Sequence, residues 1–163
     1  HDLDISPSEI LSSNLLDKNT YDKLHFISLE LFKRGTQIAK NSGLILVDTK
    51  YEFGLDSENN ILLIDEIHTP DSSRYFYSDL YDYNQASKFK QKQLSKEFFR
   101  EWLMENDFQG LEGQNIPNIS DQTVELISNR YIELYEKLMN KKFVKDSTID
   151  VDERIKSNLS NFL

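Results

Sequence analysis

Three ionisable side chains alternate along one extended segment, at a spacing that could bind a cation. Residues Leu44 to Phe53 are rich in aliphatic and aromatic side chains, which predicts a β-strand. Because side chains alternate between the two faces of a strand, Asp48, Lys50 and Glu52 are expected on one face. An ordinary solvated polar face is the alternative, and this strand alone does not separate the two interpretations.

A second run, Ile61 to Ile67, is predicted to pair with the first strand through a polar turn at residues 56–60, forming a β-hairpin. Residues 61–64 are all apolar, which predicts burial on both faces. Opposed residues of an antiparallel hairpin have numbers with a constant sum. An odd sum would put Asp65 on the face of Glu52, and an even sum would put Glu66 there instead.

Either register places two carboxylates side by side, and such a pair suits Mg²⁺. In proteins this ion is held by one or two carboxylates and completes its octahedron with water and phosphate oxygens. Lys50 could pair with these acids or face an anionic substrate. The alternative is a salt-bridged strand pair that binds nothing.

The loop after the second strand, Thr69 to Arg74, combines a Pro-Asp turn, two serine hydroxyls and a guanidinium. Such groups can hold a phosphate or a carboxylate through charge-assisted hydrogen bonds. The alternative is that Asp71 only caps a short turn. An anion site beside a magnesium site is, in outline, a phosphoryl-transfer centre.

Other polar residues are weaker candidates for a functional site. His68 is expected to be a hydrogen-bonding residue beside a turn, because no nucleophile accompanies it. Lys96 and Arg100 are expected on an ordinary solvated helix face, since acidic residues alternate with them. The sequence contains no Walker glycine loop, no G-x-G-x-x-G or G-x-S-x-G motif and no metal-binding histidine pair.

Helices are predicted on both sides of this β region. Ser6 and Glu9 form a capping-box pattern at the start of a first helix. Further segments have helical or strand patterns: a helix over 21–42 that stops at Gly43, a short strand over 75–77, helices over 95–106 and 123–139, and a final helix from Asp150. The predicted class is α+β, with an antiparallel hairpin-based sheet packed in two layers against several α-helices.

Composition limits the possible partners. The 163 residues are expected to form a single domain, 1–163. They include no cysteine, which excludes disulfides, thiolate zinc sites and a cysteine nucleophile, and a reducing cytoplasmic location is expected. A net charge of −9 argues against binding of nucleic acid or anionic membranes. No apolar stretch approaches the roughly 20 residues that a membrane span needs.

Two linked segments closely resemble the SAICAR synthetase family of purine biosynthesis: VDTKYEFG at 47–54 and IDEIHTPDSSR at 64–74. The opening His1-Asp2 is similar to a His-Asp pair of that family. Residues 94–103, LSKEFFREWL, resemble a later family segment, although Ser95 and Glu97 depart from the commoner Asp and Gln. The resemblance extends from residue 1 to about residue 113.

The resemblance implies an ATP-dependent carbon–nitrogen ligase that joins L-aspartate to carboxyaminoimidazole ribonucleotide (CAIR), with Mg²⁺ as cofactor. It implies that Glu52 and Asp65 hold magnesium and that Asp48 and Lys50 contact the carboxylate end of CAIR. Lys50, Glu52 and Asp65 would be the catalytic set. The resemblance further implies that Ser73 and Arg74 grip the ribonucleotide phosphate and that Asp2 assists substrate binding.

No segment resembles the family's N-terminal nucleotide-binding lobe with its Gly-Lys-Val-Arg motif. The chain is therefore expected to be the C-terminal lobe and to be inactive alone. Two other classes remain open: a non-catalytic nucleotide- or phosphate-binding module that uses Ser73 and Arg74, and a helix-rich interaction domain whose hairpin charges are structural. Retention of both Glu52 and Asp65 favours the enzyme, because a pure binder needs no magnesium carboxylates.

Overall fold

The computed structural model describes residues 4–147, 150–160 and 162. Within these residues the chain forms six α-helices and four β-strands, which confirms the predicted α+β class. In chain order they are α1 (Pro7–Ser12), α2 (Lys18–Asn41), β1 (Leu44–Thr49), β2 (Glu52–Leu55), β3 (Ile61–Ile64), β4 (Ser73–Tyr77), α3 (Tyr81–Ser87), α4 (Glu97–Glu105), α5 (Asp121–Met139) and α6 (Val151–Leu159).

The strands form two separate antiparallel pairs, β1 with β4 and β2 with β3. The prediction of one long strand over Leu44 to Phe53 is therefore wrong, because the chain leaves the first sheet at Lys50 and enters the second at Glu52. The hairpin itself is confirmed, with Leu55 opposite Ile61 across the 56–60 turn. The short strand predicted at residues 75–77 is also present, as part of β4.

A β-bulge at Val47 changes the register of the first sheet. Leu46 lies opposite Tyr75, but Asp48 lies opposite Arg74, so Val47 is an extra residue in β1. The unshifted register would have placed Ser73 opposite Asp48. The bulge therefore brings a carboxylate and a guanidinium face to face.

The core lies between α2, the β1–β4 sheet and α5. Among the described residues, six hydrophobic side chains are at most 3% exposed: Ala39, Leu44, Leu46, Tyr75, Leu94 and Leu134. The segment that contains Leu94 runs along the free edge of β4, where the Leu94 amide donates to the Tyr75 carbonyl at 2.9 Å.

The β2–β3 hairpin is much less covered. Leu62 and Ile64 are 47% and 44% exposed, so the prediction that residues 61–64 are buried on both faces is wrong for the described chain. Side chains of β3 alternate between half-buried and exposed, so one face of this strand is partly covered and the other is open to solvent.

The helix termini follow their sequence signals. Ser6 and Glu9 form the predicted capping box, and Gly43 follows α2 with a φ of +70°, which glycine adopts without strain. Helices α4, α5 and α6 confirm the three later helices, whereas α3 was not predicted. In the described part of the chain, no helix combines the length and apolar character that a membrane span requires.

Helix α5 is fastened to the rest of the fold by Arg130. Its guanidinium carbon lies 3.6 Å from the centre of the Phe98 ring, and its Nη1 donates to the Gln93 carbonyl at 2.7 Å. One side chain thus joins α5 to α4 and to the edge segment beside β4.

Replacement of this side chain should be costly. We expect Arg130→Met to lower the free energy of unfolding by about 2 kcal/mol, because it removes a cation–π contact and a charge-assisted hydrogen bond. Arg100→Met is the control: Arg100 is 70% exposed and lies 3.6 Å from Glu97, and its loss should cost less than about 0.5 kcal/mol. Equal losses in urea unfolding would contradict this assignment.

Candidate functional site

Lys50 joins two carboxylates of the hairpin. Its ammonium contacts the Glu52 carboxylate directly and lies 3.8 Å from Oδ2 of Asp65. The two acids therefore face each other across one cation. A carboxylate beside Glu52 was expected from the hairpin, and the family resemblance implied that it would be Asp65.

The route by which Asp65 reaches this position differs from both registers considered. Glu52 lies opposite Ile64, so the sum is even, and an extended β3 would have placed Glu66 opposite Lys50. However, Asp65 has a φ of +65°, which ends the strand after Ile64. Asp65 turns toward Lys50, while Glu66 accepts a hydrogen bond from the Thr69 hydroxyl in the next turn.

Asp48 and Arg74 form a bidentate ion pair across the first sheet. Nε of Arg74 donates to Oδ1 and Oδ2 of Asp48 at 3.0 and 2.9 Å, and Nη2 donates to Oδ2 as well. These hydrogen bonds lower the pKa of the Asp48 carboxyl and raise the pKa of the Arg74 guanidinium. Both groups remain charged over the physiological pH range.

Ser73 lies beneath this pair at the start of β4. It is 3% exposed, and its hydroxyl donates to Oγ1 of Thr49 at 2.8 Å. The Ser72 hydroxyl is 3.3 Å away and completes a row of side-chain oxygens at the base of the loop. Small hydroxyl groups, rather than apolar groups, thus line the protein surface next to the Asp48–Arg74 pair.

The turn at residues 69–72 is organised by Thr69 and Ser72. The Thr69 amide donates to the Ser72 hydroxyl at 3.2 Å, and the Ser72 amide donates to the Thr69 hydroxyl at 3.3 Å. Asp71 does not cap this turn; its carboxylate lies 3.0 Å from Nζ of Lys96, and the hydrogen bond from Lys96 lowers the pKa of Asp71.

These groups surround a cleft of about 390 Å³. It is lined by Asp48, Thr49, Lys50, Glu66, Asp71, Ser72, Ser73, Arg74, Ser95, Lys96 and Glu97. The cleft holds three cations, each with a carboxylate partner. Lys50 belongs both to this cleft and to the Glu52–Asp65 pair, so the two parts of the site adjoin.

Sequence reasoning missed Lys96. It was expected on a solvated helix face, but it precedes the first residue of α4 and reaches the cleft through Asp71. Arg100 does lie on the solvated face, 3.6 Å from Glu97 and 70% exposed. The resemblance of residues 94–103 to a family segment was the signal that could have identified Lys96.

The remaining predicted residues are quickly placed. Asp2 lies outside the described residues. His68 is a hydrogen-bonding residue, as expected, with its Nε2 2.6 Å from the Tyr51 hydroxyl. Among the described residues, no group of three histidine or acidic side chains converges as a ready-made metal site.

The donor set nevertheless fits Mg²⁺. The ion commonly takes only one or two protein carboxylates, and the position between Glu52 and Asp65 already accommodates a positive charge, that of Lys50. Water and phosphate oxygens would supply the other ligands. The adjoining cleft is where a phosphate would lie.

The fold is shared with known SAICAR synthases. The structure of SAICAR-synthase from Saccharomyces cerevisiae complexed with SAICAR superposes with a TM-score of 0.66 and 32% sequence identity, over 88% of this chain and 46% of that one. The phosphoribosylaminoimidazole-succinocarboxamide synthases of Bacteroides thetaiotaomicron and Flavobacterium psychrophilum are 56% and 51% identical over all 163 residues.

The model of the SAICAR synthetase family matches residues 1–116. The chain belongs to the SAICAR synthetase family, as the two motifs predicted. It spans about half the length of the curated relatives it matches, 52% in both of the two named above.

The Asp48–Arg74 pair predicts a pH-dependent contribution to stability. Because the folded protein lowers the pKa of Asp48, the stabilisation is present above the unfolded pKa, about 3.9, and is lost as the pH falls through the folded pKa. We expect Asp48→Asn to lower the free energy of unfolding by about 1 kcal/mol at pH 7, since the pair is half exposed. The difference from wild type should shrink below about pH 4.

Denaturant unfolding between pH 3 and pH 7 measures this difference. Asp22→Asn is the control, since it removes the partner of Lys18 on the exposed side of α2 and should change the pH 7 value by less than about 0.5 kcal/mol. A loss for Asp48→Asn that persists unchanged at pH 3 would show that Arg74 is not its cause.

Proposed function

We propose that this chain supplies the magnesium- and CAIR-binding part of an enzyme that ligates L-aspartate to CAIR with consumption of ATP. The products would be SAICAR, ADP and phosphate. The observation that carries the proposal is the meeting of Glu52 and Asp65 at Lys50, beside the Ser73–Arg74 cleft, in a chain of the SAICAR synthetase family. A cytoplasmic location belongs to the same proposal.

The chemistry explains why such a site is needed. A carboxylate is a poor acyl donor, because oxide would have to leave. Transfer of the γ-phosphoryl group of ATP to a CAIR carboxylate oxygen gives an acyl phosphate and ADP. The aspartate amine then attacks the acyl carbon, phosphate leaves with the oxygen, and the amine loses a proton as the amide forms.

Glu52 and Asp65 would hold Mg²⁺, which supplies charge neutralisation for the phosphate oxygens when it is bound. Lys50 would then be released from the acids that it now contacts. The Lys50 side chain is 60% exposed and flexible, so its ammonium can turn toward the carboxylate of CAIR. The three side chains form the proposed catalytic set.

The cleft would bind the rest of CAIR. Asp48, with Lys50, would face the imidazole end, where the amino group of CAIR is a donor for a carboxylate. Ser73 and Arg74 would bind the ribonucleotide phosphate, a group that a guanidinium recognises with two parallel hydrogen bonds. Asp2 is proposed to assist substrate binding.

The relatives are about twice as long as this chain, and their additional half would complete the ATP site. The exposed apolar side chains on one face of the hairpin, Leu62 and Ile64, support this proposal, because these residues are 47% and 44% exposed. A two-stranded hairpin is marginal by itself in water and needs a packing partner. We propose that the N-terminal half of the protein covers this face.

Calorimetry tests the metal-dependent site. We expect the chain to bind CAIR more tightly with Mg²⁺ than without it, and Glu52→Gln or Asp65→Asn to reduce that gain about tenfold. Glu58→Gln, in the exposed turn of the same hairpin, is the control and should bind like wild type. Binding that ignores Mg²⁺ would favour the phosphate-binding module, and no binding would favour the interaction domain.

A turnover assay tests the need for the other half. The isolated chain, supplied with CAIR, L-aspartate and Mg²⁺-ATP, should form no SAICAR, because about half of the family's length is absent from it. Coexpression with the N-terminal half of a relative should restore turnover, and Leu62→Asp should abolish the restoration. ATP-dependent SAICAR formation by the chain alone would refute this prediction.

A further inference from the structure

His68 connects three parts of the fold that surround the site. Its Nε2 lies 2.6 Å from the hydroxyl of Tyr51, the residue between Lys50 and Glu52, and the two rings meet edge to face at 5.6 Å. Its carbonyl accepts a hydrogen bond of 2.7 Å from the hydroxyl of Tyr75 in the core. Burial raises the pKa of Tyr75 to about 12, so this hydroxyl keeps its proton.

The imidazole ring also lies directly against the backbone of α2 at Gly35. A Cβ at Gly35 would lie 2.4 Å from Cε1 of His68 and within 2.8 Å of both ring nitrogens. Gly35 is buried in the interior of a 24-residue helix, where glycine is less favourable than alanine. The close approach of His68 explains why a glycine occupies this position.

The chain around His68 needs such support. Asp65 and His68 have φ values of +65° and +56°, a left-handed conformation that non-glycine residues rarely adopt. These two turns direct the chain from the end of β3 to the loop that begins at Thr69. Residues 66–68 thus connect Asp65, the proposed magnesium ligand, to the loop 69–74, which is proposed to bind phosphate.

We propose that His68, seated on Gly35, is a positioning residue that fixes Asp65 relative to the loop 69–74. It contacts neither the acidic pair nor the cleft, so it acts through the backbone that it holds. The identity of the two groups it positions rests on the proposed function, whereas its contacts with Gly35, Tyr51 and Tyr75 do not.

Gly35→Ala is the most direct test, because it adds one methyl group where the ring lies and alters no polar group. In the ligand-free chain, ¹⁵N order parameters for residues 65–68 should fall from about 0.85 to below about 0.6. Mn²⁺, used as a probe for the Glu52–Asp65 pair in electron paramagnetic resonance, should bind about tenfold more weakly. Amide exchange in β1 and β4 should stay as in wild type.

A double variant separates displacement of the ring from other effects of the new methyl group. In Gly35→Ala/His68→Ala the ring is gone, so the methyl group meets no obstacle, and the double variant should behave like His68→Ala alone. His25→Ala, on the exposed side of α2, is the matched histidine control and should leave order and Mn²⁺ affinity unchanged.

Several outcomes overturn the inference. The first is that Gly35→Ala keeps the order parameters and the Mn²⁺ affinity of the wild type. The second is that the effects of Gly35→Ala and His68→Ala add up in the double variant. If Gly35→Ala also speeds amide exchange in β1 and β4, Tyr51→Phe becomes the test, because it deletes the hydrogen bond to His68 without adding volume. Unchanged order parameters at residues 65–68 in Tyr51→Phe would refute the proposal. Wild-type chain that fails to bind Mn²⁺ contradicts the proposed function, while the order parameters still test His68.

Discussion

The site depends on how the chain passes from one small sheet to the other at Lys50 and Tyr51. Here β1 ends and β2 begins, and consecutive side chains go to different partners: Lys50 to the acidic pair and Tyr51 to His68. The site draws residues from both two-stranded sheets of the described chain: Asp48 and Arg74 from the first, and Glu52 from the second. The junction places the hairpin acids beside the cleft of the first sheet, and every proposed role of these residues requires that placement.

Local signals in the sequence predicted much of this arrangement. The capping box at Ser6, the hairpin turn and the helical periodicities each involve residues close in the chain, so their energetics can be evaluated without the fold. The hairpin pattern also predicted a carboxylate beside Glu52, but it left open Asp65 or Glu66, and only the family resemblance implied Asp65. That the chain belongs to the SAICAR synthetase family was evident from two motifs.

Features that depend on distant contacts could not be predicted in this way. The bulge at Val47, which sets Asp48 opposite Arg74, has no glycine or other local signature, and the left-handed turn at Asp65 occurs at a residue that tolerates it only with support. Lys96 enters the cleft because α4 begins one residue after it. The apolar run 61–64 predicted burial on both faces, which the described chain does not show. Burial of the second face would require that another polypeptide cover the hairpin.

The pairing of cations and acids in the cleft has a consequence for ligand binding. An exposed ion pair contributes at most about 1 kcal/mol, so the exchange of Asp48 for a phosphate on Arg74 costs little, and a doubly charged phosphate forms the stronger charge-assisted bonds. The same holds for Lys50 when a divalent ion takes its place between Glu52 and Asp65. Under the proposed function, the internal pairs therefore hold these side chains near their binding positions, and the ligands replace contacts that are already made. Selectivity then depends on geometry, and so on the contacts that fix Asp65 and the loop 69–74 relative to each other.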